Sequence, residues 1–183
     1  MTTVGGHWLE DAVLQFRKYK ALGDGALAQV ADADFFRTLD PESNSVALLV
    51  KHLTGNMRSR WTGFRTTDGE KPDRHRDAEF ERDGADTRES LMARWEAGWA
   101  LLFAALAPLS EKDLLAQTPI RGEPHTVIQA VHRQLTHYAY HVGQIVVLAR
   151  HFAGSRWTSL SIPRGRSKDF EVGKNGKPYR PPA

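Results

Sequence analysis

The stretch that decides the fold is V-I-Q-A-V-H-R-Q-L-T-H-Y-A-Y-H-V-G-Q-I-V-V-L-A, which runs from Val127 to Ala149. Its apolar residues recur every three or four positions, the spacing of one face of an α-helix. Proline favours a helix start and glycine a helix end. We therefore predict a long amphipathic helix that opens near Glu123 and Pro124 and ends at Gly154.

Three further segments have the same helical spacing. They run from about His7 to Val30, from Val46 to Phe64, and from Thr87, where T-R-E-S offers an N-cap, to Leu106. No segment alternates apolar and polar residues for long enough to predict a sheet. Four amphipathic helices of this length pack most simply as a four-helix bundle, so the predicted fold class is all-α.

Local signals indicate where these helices start and stop. The G-D-G sequence from Gly23 to Gly25 is expected to interrupt the first, and Pro41 with Ser43 and Asn44 to start the second. The stretch at 65–86 is rich in charge, glycine and proline, which is typical of a long connection. A crossover of this length suits a bundle in which consecutive helices need not be antiparallel neighbours.

The 183 residues correspond to about one domain. We assign residues 1–154 to the bundle, with its long loop at about 65–86, and residues 155–183 to an irregular C-terminal extension that packs on the bundle or on a partner subunit. The net charge is only +3, and most of the positive excess lies in this extension. Nucleic acid is not an expected partner, because no helix is dense in arginine and lysine and no recognised motif is present.

The composition limits the chemistry that the chain can perform. Because there is no cysteine, disulfides, thiolate metal sites and a cysteine nucleophile are excluded. The N-terminus lacks the charged start and apolar run of a signal peptide, and no stretch approaches the roughly 18 uncharged apolar residues of a membrane span. The expected compartment is the cytoplasm, with no membrane partner.

Two histidines four residues apart, His137 and His141, lie on one face of the long helix, so both can reach one cation. His52 has the same kind of position on the second helix and would complete a set of three imidazole nitrogens. Such a set leaves coordination positions open, as in catalytic zinc sites, and nickel would also accept it. The alternative is that these histidines pack at the helix interface and bond to backbone carbonyls.

Other polar residues are candidates to support such a site. Asn56 and Gln134, each one turn from a proposed ligand, could orient an imidazole or a water, or could be ordinary polar residues of a helix interface. Gln144 lies further round the helix and is a weaker candidate. Arg60 and Arg133 could bind the carboxylates of a thiol cofactor, or pair with acidic residues of the long loop. No residue is a convincing general base near the proposed metal.

Four segments together resemble the DinB/YfiT-like family of metalloenzymes, especially its subgroup with a long C-terminal extension. The segments are K-H-L-T-G-N-M-R-S-R-W at Lys51 to Trp61, D-G-E-K-P at Asp68 to Pro72, H-Y-A-Y-H-V-G-Q-I at His137 to Ile145, and W-T-S-L-S-I-P-R-G at Trp157 to Gly165. The resemblance implies an up-up-down-down four-helix bundle, commonly dimeric, with a divalent metal at one end. It places the metal ligands on His52, His137 and His141.

The resemblance also implies a range of functions. Some relatives use the metal to activate a low-molecular-weight thiol for transfer or isomerisation, which makes a thiol-dependent S-transferase with a small-molecule substrate the leading expectation. A metal-dependent hydrolase is the next, because a three-histidine metal can also activate water. A non-catalytic bundle, stabilised by its metal and acting through its dimer surface, is the third.

Overall fold

The computed structural model describes residues 3–169, which are mostly helical, with a small two-stranded sheet. The helices are α1 Val4–Leu27, α2 Asp32–Phe35, α3 Val46–Trp61, α4 Arg88–Leu106 and α5 Val127–Ala153, and the strands are β1 Gln117–Ile120 and β2 Glu123–Thr126. Short 3-10 helices lie at Asp77–Phe80, Glu111–Asp113, Gly154–Arg156 and Ser167–Asp169. Among the helices of the described range, none has the length and apolar character needed to cross a membrane. The helical class expected from the sequence therefore holds in outline, with the sheet as an addition.

Each long helix begins at a hydroxyl side chain that accepts a backbone N–H of its first turn, which satisfies one of the donors left free at a helix start. These caps are Thr3, Ser45, Thr87 and Thr126. Thr87 is the cap that the sequence predicts, whereas the cap of α3 is Ser45, one residue after the expected Asn44. Glu123 and Pro124 belong to β2, so α5 begins three residues later than Pro124.

The expected break in the first helix was wrong, because α1 continues through Gly23 and Gly25. A Cβ at Gly23 would lie 2.7 Å from the ring of Trp95, and one at Gly25 would lie 2.8 Å from Leu160. Both glycines therefore allow close packing on α1. Packing against α4 and the C-terminal extension overrides the low helix propensity of glycine in these two places.

The long helices share one apolar core. Helix α3 packs along α4, α1 packs along α5, and α3 also contacts α5. The largest fully buried side chains of the core are aromatic: Phe16, Phe35, Trp61, Trp95, Trp99 and Tyr138. Trp61 on α3 donates its indole N–H to the hydroxyl of Tyr138 on α5 over 2.9 Å. This buried bond helps to fix α3 against α5, the two helices that carry the three candidate histidines.

The prediction that no sheet is present was wrong, because β1 and β2 form an antiparallel hairpin before α5. Its turn places Arg121 and Gly122 at positive φ, 58° and 76°, as a tight two-residue hairpin requires. The carboxylate of Asp68 accepts the backbone N–H groups of both residues, over 2.8 and 2.7 Å. The D-G-E-K-P segment of the long loop therefore stabilises the hairpin turn. The two strands are only four residues long, too short for an alternating pattern in the sequence to predict them.

The long loop and the C-terminal extension both pack against the helices. The loop is held to α3 by Ser59, whose hydroxyl donates to the carbonyl of Gly69 over 2.8 Å. Trp157 and Leu160 of the extension are partly buried against the core. The basic residues Lys174, Lys177 and Arg180, which carry much of the predicted charge of the extension, lie outside the described residues.

Candidate metal centre

The fold brings His52 of α3 together with His137 and His141 of α5. Their ligating nitrogens all lie within 4.8 Å of one another, and the Nε2 atoms of His52 and His137 are 3.1 Å apart. The rings of His137 and His141, one helical turn apart, stand at 89° to each other with centroids 4.7 Å apart. The three histidines could hold a metal ion, which is the arrangement that their positions in the sequence suggest.

The His52 ring is held by Glu79, from the 3-10 helix of the long loop. Nδ1 of His52 lies 2.8 Å from Oε2 of Glu79. An ionised carboxylate can only accept, so Nδ1 carries the proton and Nε2 presents its lone pair to the other histidines. Gly55 on α3 makes this approach possible, since a Cβ there would overlap the Glu79 carboxylate.

Glu79 is in turn neutralised by Arg74. The guanidinium donates from Nε to Oε1 over 2.8 Å and from its second amino nitrogen to Oε2 over 2.9 Å. Burial opposes ionisation of Glu79, but the hydrogen bonds from His52 and Arg74 outweigh it and lower its pKa. A chain of contacts from arginine to carboxylate to imidazole therefore fixes His52, in the manner of the carboxylate–histidine pairs that support metal ligands.

The two histidines of α5 differ in their surroundings. Nδ1 of His141 donates to Oε1 of Gln144 over 2.7 Å, which leaves its Nε2 free to bind. Nδ1 of His137 is buried and has no partner among the described residues. Burial, together with the neighbouring His141, His52 and two arginines, lowers the pKa of His137 to about 3. Burial also lowers the pKa of His141, although the bond to Gln144 opposes this.

These features fit a bound cation. Two nitrogens bound tetrahedrally to one zinc at about 2.0–2.1 Å lie about 3.3 Å apart, close to the 3.1 Å between Nε2 of His52 and His137. If His137 is protonated at Nδ1, two lone pairs face each other at this distance, and a cation between them would remove the repulsion. The lowered pKa values of His137 and His141 keep both imidazoles in the neutral form that binds metals.

A cleft of about 340 Å³ opens beside His52 and His137. Its lining includes all four residues predicted to act around the metal: Asn56, Arg60, Arg133 and Gln134. Arg60 also forms an ion pair with Glu70 of the long loop at 3.0 Å, which is the alternative role that the sequence suggested for it. Asn56 accepts a hydrogen bond from Tyr138 over 3.0 Å. The roles of these four residues in binding substrate or supporting ligands stay predictions.

Glu79, Arg74 and Gln144 hold the site but were missed or ranked low from the sequence. Glu79 and Arg74 belong to the charged stretch at 65–86, whose composition is that of a solvated connection. The signal in the sequence was D-A-E-F at Asp77–Phe80, in which Glu79 stands between two apolar residues and so could be partly buried with them. Gln144 lies three residues after His141, a spacing that allows contact within one helix.

Two comparisons found no relative: no curated protein and no solved structure matches the chain. A third matched the family described as "Protein of unknown function (DUF1572)" over residues 3–166. This match includes both the three-histidine cluster and the part of the extension that contains Trp157 and Leu160. The chain therefore belongs to the DUF1572 family.

Proposed function

We propose that the protein is a divalent-metal-dependent enzyme of the DinB-like type, with His52, His137 and His141 as its metal ligands. Zinc or nickel is the proposed ion, because neutral imidazoles bind both. The observation that carries the proposal is the convergence of the three ligating nitrogens within 4.8 Å, beside an open cleft. When bound, the metal would lower the pKa of a thiol or a water molecule that reaches it.

The proposal includes the up-up-down-down four-helix bundle of the DinB-like proteins, formed by α1, α3, α4 and α5. The contacts of α3 with α4, of α1 with α5 and of α3 with α5 support it. The homodimer and the cytoplasmic location are also parts of the proposal and stay predictions.

A thiol-dependent S-transferase is the proposed reaction class. A hydrolase needs a general base with a free acceptor near the activated water. Among the described residues, Glu79 is the carboxylate that contacts the cluster, and both its oxygens already accept hydrogen bonds from His52 or Arg74. Its lowered pKa also makes it a weak base. A thiolate is itself the nucleophile, and because the chain has no cysteine, the thiol must be a small molecule.

In this proposal the chain's own residues have three tasks. Glu79 and Gln144 hold two of the imidazoles through their Nδ1 atoms. Burial keeps His137 neutral over the physiological pH range. Arg60 and Arg133 line the cleft and bind carboxylates of the thiol or of its electrophilic partner.

The test is a screen for thiol transfer. Wild type, His137→Ala and the control His132→Ala are each incubated with zinc or nickel, then mixed with a small thiol such as glutathione and an electrophile such as 1-chloro-2,4-dinitrobenzene. His132 lies on the same helix but accepts a bond from Trp8. Consumption of free thiol should be accelerated by wild type and the control and not by His137→Ala.

One result would refute the transferase proposal. If no pair of thiol and electrophile reacts faster with wild type, while a chelator lowers the melting temperature strongly, the metal is structural and the transferase proposal fails.

A further inference from the structure

We propose that the cleft beside the three histidines binds a small organic dicarboxylate. This deepens the proposed function, since the dicarboxylate would be either the thiol cofactor or the electrophile that reacts with it. The charge of the cleft, the arrangement of its arginines and its size favour such a ligand.

Arginine dominates the lining of the cleft. Among the described residues, no aspartate or glutamate lines the cleft. Five arginines do: Arg60, Arg74, Arg76, Arg121 and Arg133. Of the described acidic residues, only Glu70 and Glu79 form ion pairs with them. Five guanidinium groups are therefore matched by two carboxylates, and the net positive charge of the cleft attracts anions.

The arginines divide into structural and free ones. All three guanidinium nitrogens of Arg74 donate to Glu70 or Glu79, so Arg74 is fully used. Arg76, from the long loop, and Arg133, from α5, are exposed and form no ion pair with any residue between 3 and 169. The guanidinium of Arg76 lies 5.3 Å from the centre of the Phe80 ring, a contact that leaves its N–H donors available. The free cations thus come from different elements around the cleft, which favours a ligand with two separate anionic groups over a single compact anion.

Three buried polar atoms of lining residues have no hydrogen-bond partner among the described residues. They are Nε of Arg60, Oε1 of Gln134 and Nδ1 of His137. Arg60 and Gln134 are only 4% and 3% exposed, so leaving these atoms unpaired is costly. These atoms lie within the wall of the cleft, and Arg60 and Gln134 also line a separate cavity of about 10 Å³, so the unpaired atoms do not specify which groups a ligand in the cleft carries.

The volume of about 340 Å³ lies at the lower end of the range for small-molecule sites. Arginine forks match the planar carboxylate group with two parallel hydrogen bonds. A small dicarboxylate therefore fits both the charge and the size of the cleft.

The experiment measures binding of racemic malate to the full-length, metal-free protein by calorimetry at low salt. Malate carries two carboxylates and one hydroxyl, malamide is its neutral counterpart, and inorganic phosphate tests a compact anion. Using metal-free protein separates this test from the metal proposal, because malate cannot then be held by an ion.

Arg133→Gln and Arg76→Gln are the test variants, and Arg150→Gln is the matched control. Arg150 is also exposed on α5 but does not line the cleft. Both test residues are exposed, and Arg76→Gln also removes the contact with the Phe80 ring, so a melting curve of each variant verifies that it is folded. Solvent screens an ion pair of an exposed arginine, so each test variant should weaken malate binding by about three- to fivefold. The control should stay within about twofold of wild type.

The dicarboxylate proposal is supported or overturned by the following results. Binding of malate but not malamide, weakened in both test variants, supports the proposal even if the protein retains no metal, in which case only the metalloenzyme proposal fails. Absence of malate binding at 10 mM (about 2.7 kcal/mol of free energy) overturns it. Tighter binding of phosphate than of malate, or equal losses in the test variants and the control, also overturns it.

Discussion

Replacing Glu79 with glutamine tests how far the buried carboxylate supports the histidine cluster. The carboxylate accepts three hydrogen bonds, from Nδ1 of His52 and from two nitrogens of Arg74. A glutamine amide keeps one acceptor oxygen and replaces the other with a donor. If the amide nitrogen takes the place of Oε1, the Nε–H of Arg74 faces another donor. If it takes the place of Oε2, another N–H of Arg74 faces a donor, and Nδ1 of His52 must also become an acceptor and move its proton to Nε2. The second outcome removes the lone pair needed for a metal.

The magnitude follows from the burial of this group. The side chain of Glu79 is 9% exposed and that of Arg74 is 3% exposed. Breaking a buried ion pair by removing one charge costs about 3–5 kcal/mol, and the retained acceptor favours the lower value. A loss of about 3 kcal/mol corresponds to a fall in melting temperature of about 6–12 °C for a chain of this size. Loss of a residue that orients a ligand typically weakens metal binding by about 10–100-fold.

The assay combines two measurements on Glu79→Gln and on the control Glu81→Gln, an exposed neighbour in the same loop. Melting curves of the metal-free proteins give the change in stability. Competition with a coloured zinc chelator, well below both melting temperatures, gives the change in zinc affinity. If Glu79→Gln matches the control in both measurements, the carboxylate does not orient His52 and the reasoning is refuted.

Three further predictions concern pH, glycine and the extension. The pKa of His137 in the folded chain is about 3, below its ordinary value of 6.5, so the unfolded chain binds more protons between these pH values. The metal-free protein should therefore lose stability as the pH falls from 6.5 towards 3. In pH-dependent melting curves, His137→Asn should lose less stability over this range than wild type. Gly55→Ala should displace Glu79 and weaken zinc binding in the chelator assay, whereas Gly143→Ala, where a Cβ meets nothing within 4 Å, should leave zinc binding unchanged and raise stability by about 0.5–1 kcal/mol. Truncation after Gly154 should expose core surface covered by the extension and lower the melting temperature, and an unchanged value would contradict this.

The helices and the histidine cluster could be predicted because their signals are periodic. Apolar spacing identified the long helices, and the same angular argument placed His137 and His141 on one face of the last helix and His52 on a comparable flank of α3. These positions depend on helix geometry, which each sequence segment specifies locally. The three nitrogens lie close together because α3 and α5 pack side by side.

The support of the cluster and the small sheet depend on contacts between distant segments. Glu79 reaches His52 only because the loop folds back onto α3 at Gly55. The hairpin turn at Arg121 is stabilised by Asp68, more than fifty positions earlier. Neither contact produces a periodic pattern, so a charged loop and a pair of four-residue strands give no clear signal in the sequence.

The measurement that tests the central claim most directly is metal content by mass spectrometry, on protein purified without a histidine tag or nickel resin. Wild type, His137→Ala and the control His132→Ala are compared. The account predicts about one equivalent of zinc or nickel in wild type and the control, and loss of the metal in His137→Ala. Absence of metal from all three proteins, even after zinc and nickel are added back, would contradict the account and make the three histidines packing residues of the α3–α5 interface.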